Sequence, residues 1–212
     1  MSPRARERDR SRLYVWFDAE FTSLDLDRAR LLQAAVIVTD CHLRRVGPAR
    51  DDLRVAVAIP PRTRLSPWVR ENLASAVARS RGPGAVPAGR LDRRLAAWMD
   101  RLVGRPRPAK REHWPVLAGN SIHTDWFLVR RHLPRFAERL NYRHLDVSAL
   151  KLLWLHRGGR DAFDKDNPEA VRRYFPGARL GDAAQRHDAY YDVQASIAEL
   201  SFYRAHLLKA AD

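Results

Sequence analysis

Bulky apolar side chains first run together over Leu13 to Phe17, and the run ends in two acids one residue apart, Asp18 and Glu20. A continuous apolar stretch of this length predicts a strand buried on both faces. Side chains alternate across a strand, so Asp18 and Glu20 project to one side of it. Leu31 to Thr39 repeats the pattern, and Arg54 to Ile59 offers a third strand ended by Pro60 and Pro61. Three such runs in succession predict an antiparallel meander. Helical spacing follows. Pro67 suits the first turn of a helix through Trp68, Val69, Leu73 and Val77, and Leu91, Leu95, Trp98 and Leu102 mark a second over 91–103. The glycines and prolines of 81–89 separate the two, and the basic, proline-containing stretch 104–113 reads as a flexible surface connection.

Pro115 to Ala118 is a short strand that runs into the turn residues Gly119, Asn120 and Ser121. Thr124 is the expected cap of the next helix, which carries Asp125, Phe127, Leu128 and Leu133. His144 to Val147 predicts a strand, Ser148 begins a helix through Leu150, Leu153 and Trp154, and 188–208 is a long closing helix. Residues 156–186 carry no assignable pattern. Strands that first pair in sequence and then alternate with helices predict an α/β chain, a mixed sheet flanked by helices. Residues 1–12 read as a disordered basic tail and 13–212 as one domain.

Composition narrows the classes. A chain of 212 residues suits one well-packed domain. No apolar run approaches the roughly 20 residues that cross a bilayer, and the arginine-rich start lacks the apolar stretch of a secretory signal. A cytoplasmic protein without a membrane partner is therefore expected. The single cysteine, Cys41, has no intrachain disulfide partner. The net charge of +14 draws polyanions, and nucleic acid is the first partner to consider. An arginine bias also follows from a GC-rich genome, so charge alone leaves the partner open.

Two acids on one face of a buried strand repel each other unless a cation lies between them, and a hard divalent metal with oxygen ligands is the usual remedy. A solvated strand end explains the pair as well. Asp125 stands where a helix opens after a strand and a tight turn, a position that faces the crevice at strand ends. His187 and Asp192 stand together near the start of the last helix. Taken singly, Asp125 is a helix-start acid, His187 a surface histidine and Asp192 a solvated acid.

The order of these residues is more specific than any one of them. Asp-x-Glu, an Asp roughly a hundred residues on, and His-x-Ala-x-x-Asp near the end resemble the DEDDh family of 3′ to 5′ exonucleases, and within it the oligoribonuclease branch. The likeness runs from Leu13 to Leu208. It includes Trp-Phe-Asp-Ala-Glu-Phe-Thr-Ser-Leu-Asp (16–25), Val-Ile-Val-Thr-Asp (36–40), Gly-Asn-Ser-Ile-His-Thr-Asp (119–125), Tyr-Arg-His-Leu-Asp-Val-Ser-Ala-Leu-Lys (142–151) and Ser-Ile-Ala-Glu-Leu-Ser-Phe-Tyr-Arg (196–204). The resemblance implies an RNase H-like fold, a mixed five-stranded sheet flanked by helices. It implies a homodimer that hydrolyses RNA fragments of two to five nucleotides, above all dinucleotides, to 5′-mononucleotides. Asp18, Glu20 and Asp192 would hold one Mg²⁺ or Mn²⁺, and Asp18 would bridge to a second ion about 4 Å away. Asp125 would act at this cluster directly or through water, and His187 would be the general base.

For the substrate, the resemblance implies Leu24 as a wedge between two bases and Trp68 as an aromatic against the 3′ nucleotide. Ser121, Arg143 and Ser148 match a cap for the 5′ phosphate, where a guanidinium offers paired hydrogen bonds. Tyr142 would stack in the partner protomer's site. Asp188 falls at a variable position of the pattern, without a catalytic role. The chain departs from the pattern at Ser23, usually glycine, and at Gln33, usually glutamate. The base-stacking histidine is replaced by Asn72 or Leu73. One alternative is a DEDDh exonuclease with relaxed length selectivity, trimming longer single-stranded RNA or DNA along its basic surface. Another is a non-catalytic nucleic-acid-binding protein, against which all five catalytic positions keep the required residue types.

Overall fold

The apolar runs at the start of the chain form β1 (Leu13–Phe21), β2 (Leu31–Asp40) and β3 (Leu53–Ala56), an antiparallel meander. Strands β4 (Val116–Gly119) and β5 (His144–Asp146) add in parallel on the other side of β1, giving the order β3-β2-β1-β4-β5. The expected five-stranded mixed sheet is present. The computed structural model describes residues 12–105, 108–159, 161–181 and 187–207. The tail predicted for residues 1–12 lies, apart from Arg12, outside the described residues. Among the described residues no helix is long and apolar enough to cross a membrane.

The helices are α1 (Pro67–Asn72), α2 (Ala74–Arg81), α3 (Ala88–Leu102), α4 (Ile122–His132), α5 (Pro134–Ala137), α6 (Val147–His156), α7 (Pro168–Tyr174) and α8 (Ala189–Leu207). They cover both faces of the sheet. Val15, Phe17 and Ala19 point to one face and pack with Leu91 and Leu95 of α3, Leu128 and Val129 of α4 and Phe136 of α5. Trp16 points to the other, where Ala195, Ile197 and Ala198 of α8 and Val171 of α7 complete the core. The alternation that sends Trp16 toward α8 sends Asp18 and Glu20 the same way.

Several local readings are corrected. The helix expected to run from Pro67 through Val77 is interrupted at Leu73, whose backbone (φ −116°, ψ 25°) leaves the helical region. Asn72 Nδ2 donates to the Trp68 carbonyl at 3.0 Å, a local bond that competes with helix continuation. Leu73 itself is buried with Leu32, Ile59 and Val69. Thr124 does not cap α4. The helix begins earlier, after Ser121, which adopts a left-handed conformation (φ 47°), and Thr124 donates its N–H to the Ser121 carbonyl inside the first turn. Just before this turn Gly119 passes so near β1 that a Cβ there would lie 2.9 Å from the Phe17 carbonyl oxygen. Within the stretch 104–113, read as a flexible connection, residues Pro108–His113 form a 3-10 helix, and Asn141 Nδ2 holds the Arg111 carbonyl at 3.0 Å. The third strand ends at Ala56 rather than Ile59, and Val57 bridges Val86 instead.

Candidate active site

Three acids meet where the carboxyl end of β1 passes the start of α8. Asp18, Glu20 and Asp192 each offer a carboxylate oxygen within 4.8 Å of the others. The first two share a face of β1, and the third stands in the first turn of α8. Asp125 arrives from a different layer. Pairing of β1 with β4 stops at Trp16, and the Asp125 carboxylate, one turn into α4, takes the free Ala19 backbone N–H. Four carboxylates from three elements thus converge on one end of the sheet.

The electrostatics of this cluster are unfavourable without a cation. Loss of hydration, then the charges of Asp125, Asp192 and Glu20, push Asp18 well above the usual carboxylate range. Burial, then Asp192 and Asp188, push Glu20 up to about 8. Asp125 and Asp192 are raised as well, burial being the first cause in each. Hard oxygen donors this crowded fit a divalent cation such as Mg²⁺ or Mn²⁺. Lys165 brings a positive charge to the cluster, with Nζ 3.5 Å from Asp192 Oδ1. Partial burial pulls Lys165 down, but Asp192 and Asp18 outweigh it and hold the ammonium above its ordinary value. Sequence reasoning missed Lys165, which lies in the unassigned stretch 156–186. Its position depends on a contact across the fold, the bond from Tyr191 Oη to the Lys165 carbonyl at 2.8 Å.

His187 stands two residues before the first residue of α8. It is exposed and left-handed (φ 61°), and its ring meets Trp68 edge-on at 5.0 Å. Its neighbour Asp188 is buried and caps α8, with Oδ1 accepting from the N–H groups of Tyr190 (3.1 Å) and Tyr191 (3.2 Å). Asp188 Oδ2 accepts from Gln33 Nε2 at 3.1 Å and Arg54 Nη2 at 2.5 Å. The residue without an expected catalytic role thus anchors the start of α8 beside His187.

Of the expected substrate residues, Leu24, Trp68, Ser121, Tyr142 and Arg143 are exposed and Ser148 is half-buried. Leu24 is 88% exposed at the tip of a loop closed by the Thr22 N–H to Arg30 carbonyl and Arg30 N–H to Thr22 Oγ1 bonds, each 3.0 Å. Trp68, 50% exposed, stands on α1, whose cap Ser66 donates its N–H to the Thr22 carbonyl at 3.1 Å. That bond ties the Leu24 loop to the Trp68 helix. On the β5 side, the Ser121 N–H donates to Asp146 Oδ1 (3.0 Å) and Ser148 Oγ (2.9 Å), so the two serines of the expected cap lie together. Tyr142 is 61% exposed, with the Arg143 guanidinium 4.8 Å above its ring. Among the described residues, no hydrogen bond or ring stacking joins Tyr142 to His187, Trp68 or the acid cluster.

No protein-family model matches the chain. Individual curated proteins do. The oligoribonuclease of Nocardia farcinica (strain IFM 10152) is 30% identical over 200 residues, covering 91% of this chain and 80% of that protein. The oligoribonuclease of Mycobacterium leprae (strain TN) is 32% identical over 197 residues, 90% of this chain and 79% of that one. The chain belongs to the oligoribonuclease family. Membership makes it a 3′ to 5′ exoribonuclease that depends on a divalent metal. Among solved structures, Exonuclease I from Methylocaldum szegediense superimposes with a TM-score of 0.63 at 20% identity, over 93% of this chain and 41% of that one. Cell-death related nuclease 4 gives 0.61 at 11% identity, over 92% of this chain and 64% of that one. These two carry the fold, that of the RNase H-like exonucleases.

The departures from the oligoribonuclease pattern have physical readings. Ser23 Oγ accepts the Asp25 N–H at 3.1 Å, a local turn that orders the Leu24 loop where glycine would leave it freer. Gln33 lies directly opposite Glu20 in the β1–β2 register and donates to Asp188. A glutamate there would add a like charge between two acids. Of the two residues that could replace the histidine, Leu73 is buried and Asn72 is exposed, so only Asn72 is open to a ligand.

The acid cluster also sets a pH dependence. Glu20 titrates at about 8 in the fold against an ordinary 4.5, so its contribution to stability is fully present below about pH 4.5 and is lost as the pH rises through about 8. Asp18, Asp125 and Asp192 shift in the same direction. The metal-free protein is expected to melt at lower temperature at about pH 9 than at about pH 5, with added Mg²⁺ restoring most at the alkaline end. Thermal melts in chelator and in Mg²⁺ check this. A chelator profile that is flat or rises with pH contradicts it.

Proposed function

We propose that residues 13–212 act as one cytoplasmic exonuclease domain that shortens small single-stranded RNAs, dinucleotides above all, from the 3′ end to 5′-nucleoside monophosphates. The observation that carries this reading is the approach of Asp18, Glu20 and Asp192 to within 4.8 Å of one another in a chain of the oligoribonuclease family. Asp18, Glu20 and Asp192 would hold one Mg²⁺ or Mn²⁺, and Asp18 with Asp125 would reach a second. Such ions supply positive charge to the reacting phosphate and the departing 3′ oxygen. His187 takes the proton of the attacking water on its imidazole as the water attacks the phosphorus in line. Its exposure and its place against Trp68 support that role. The Asp188 cap anchors the helix start next to His187.

Leu24 parts the two bases, Trp68 packs on the 3′ nucleotide, and Ser121, Arg143 and Ser148 hold the 5′ phosphate. Tyr142 stacks in the site of a second protomer. Its exposure supports this, as do Leu152, Leu153 and Leu155 of α6, three leucines left in solvent by the single chain. Tyr142→Ala is expected to raise the KM for a dinucleotide by roughly tenfold to a hundredfold, the worth of one base–aromatic stack. The thermal shift caused by Mn²⁺ should stay unchanged. An unaltered KM would remove the partner's tyrosine from the site.

The function is tested with a 5′-labelled RNA pentamer and Mn²⁺, resolving products over time. Stepwise shortening of the label-bearing strand with release of 5′-mononucleotides is expected. Early release of the labelled 5′ nucleotide, or a cut in the middle of the strand, would overturn the assignment.

A further inference from the structure

Lys165 lies between the last two segments that carry the likeness to oligoribonuclease, 142–151 and 196–204, yet its ammonium reaches the acid cluster. Contacts on both sides of it fix the chain there. Phe163 is buried against Tyr174 and Phe202, with ring centroids 5.8 and 5.6 Å away. Asp164 Oδ1 accepts the Asp166 N–H at 3.1 Å, and Asn167 Oδ1 caps α7, accepting from the N–H groups of Glu169 (2.9 Å) and Ala170 (3.3 Å). Between these anchors Tyr191 Oη donates to the Lys165 carbonyl at 2.8 Å. Tyr191 and Asp192 are consecutive residues of α8, so the turn that presents the acid also holds the lysine.

An ion pair in open water contributes little, because solvent screens both charges. This pair is different. The Lys165 side chain is half-exposed, but that of Asp192 is only 19% exposed and belongs to a cluster with Asp18 and Glu20. Burial raises all three carboxyls, and the positive charge of Lys165 opposes that rise in each of them. One ammonium thus serves the same three acids whose oxygens come within 4.8 Å of one another. A divalent cation among those oxygens meets Lys165 as a like charge at short range.

We propose that Lys165 is a further residue of the reaction centre, a resident counter-cation that holds Asp18, Glu20 and Asp192 together in the metal-free protein and yields to the divalent cation, so that it sets how tightly the ion binds. The proposal rests on the reading of these three acids as metal ligands. The flexible four-carbon stem lets the ammonium swing into solvent while the backbone stays tied to Tyr191. The acids are then kept close before the ion arrives, and the like charge weakens its binding.

The test compares the full-length wild type with Lys165→Met and Lys165→Arg. Free Mn²⁺ is followed by its EPR signal in a titration at low salt and about pH 8, where the ammonium keeps its charge. Melting temperature is read in chelator. A unit charge close to a dication changes its affinity on the order of tenfold even in water-like surroundings, so Lys165→Met should bind Mn²⁺ roughly tenfold more tightly than wild type. It should also melt at a lower temperature in chelator. Lys165→Arg keeps the charge and should stay within about twofold of wild type in Mn²⁺ affinity. Both variants keep the bond to Tyr191, which uses the backbone. Wild-type Mn²⁺ affinity in Lys165→Met would overturn the proposal. Weaker binding in that variant would overturn it too, by making Lys165 a support for Asp192 and not a competitor of the ion. If wild type itself takes up no Mn²⁺, the assignment of the acids as ligands fails, and the proposal with it.

Discussion

Asp18→Asn is expected to lower dinucleotide hydrolysis by roughly a thousandfold or more, because the charge stabilisation lost with a bound cation is worth several kcal/mol and each 1.4 kcal/mol is a factor of ten. The substitution keeps the shape of the side chain and removes one of four crowded charges. Asp18 has Asp125, Asp192 and Glu20 as charged neighbours, and in the metal-free protein it is held far above its usual range. Neutralising it relieves repulsion. The variant should therefore melt at the same or a higher temperature than wild type in chelator, and should lose most of the rise that Mg²⁺ or Mn²⁺ gives. Kinetics and paired melts separate the two effects. A variant that keeps activity within tenfold of wild type would remove Asp18 from the reaction. One that melts far below wild type in chelator would make it a structural residue.

His187→Ala should cost about a hundredfold to ten-thousandfold in kcat, the range for a positioned general base. It should also remove one ionisation from the pH–rate profile. The fold should survive, because His187 is exposed and the cap of α8 belongs to Asp188. The thermal shift caused by Mn²⁺ should persist, since the acids are untouched. A profile that keeps the same shape after the substitution would assign the proton transfer to another group. Lys165, 3.5 Å from Asp192, is then the next residue to replace.

What could be read in advance follows the range of the forces involved. The shared face of Asp18 and Glu20 is local, set by the two-residue period of a strand, and it holds in β1. The meander and the long last helix are likewise written in their own apolar spacing. The bond from Asp125 to the Ala19 N–H was not legible, because it exists only where β4 stops pairing and leaves that donor free. Asp188 shows the same limit. Its partners Gln33 and Arg54 lie 155 and 134 residues away in sequence, and only the folded sheet brings them to one carboxylate. Thr124 misled because it has the chemistry of a cap, whereas the chain turns at Ser121, one residue before the helix, in a left-handed conformation (φ 47°).

The central claim, that the converging carboxylates form a metal-dependent hydrolytic centre for RNA ends, is tested most directly by hydrolysis of a 5′-labelled RNA series from dinucleotide to eicosamer. Each length is incubated with Mg²⁺, with Mn²⁺ and with chelator. The account predicts stepwise 3′ shortening with either ion, fastest on the dinucleotide, and none in chelator. Cleavage that persists undiminished in chelator, or no cleavage of any length with either ion, would contradict it.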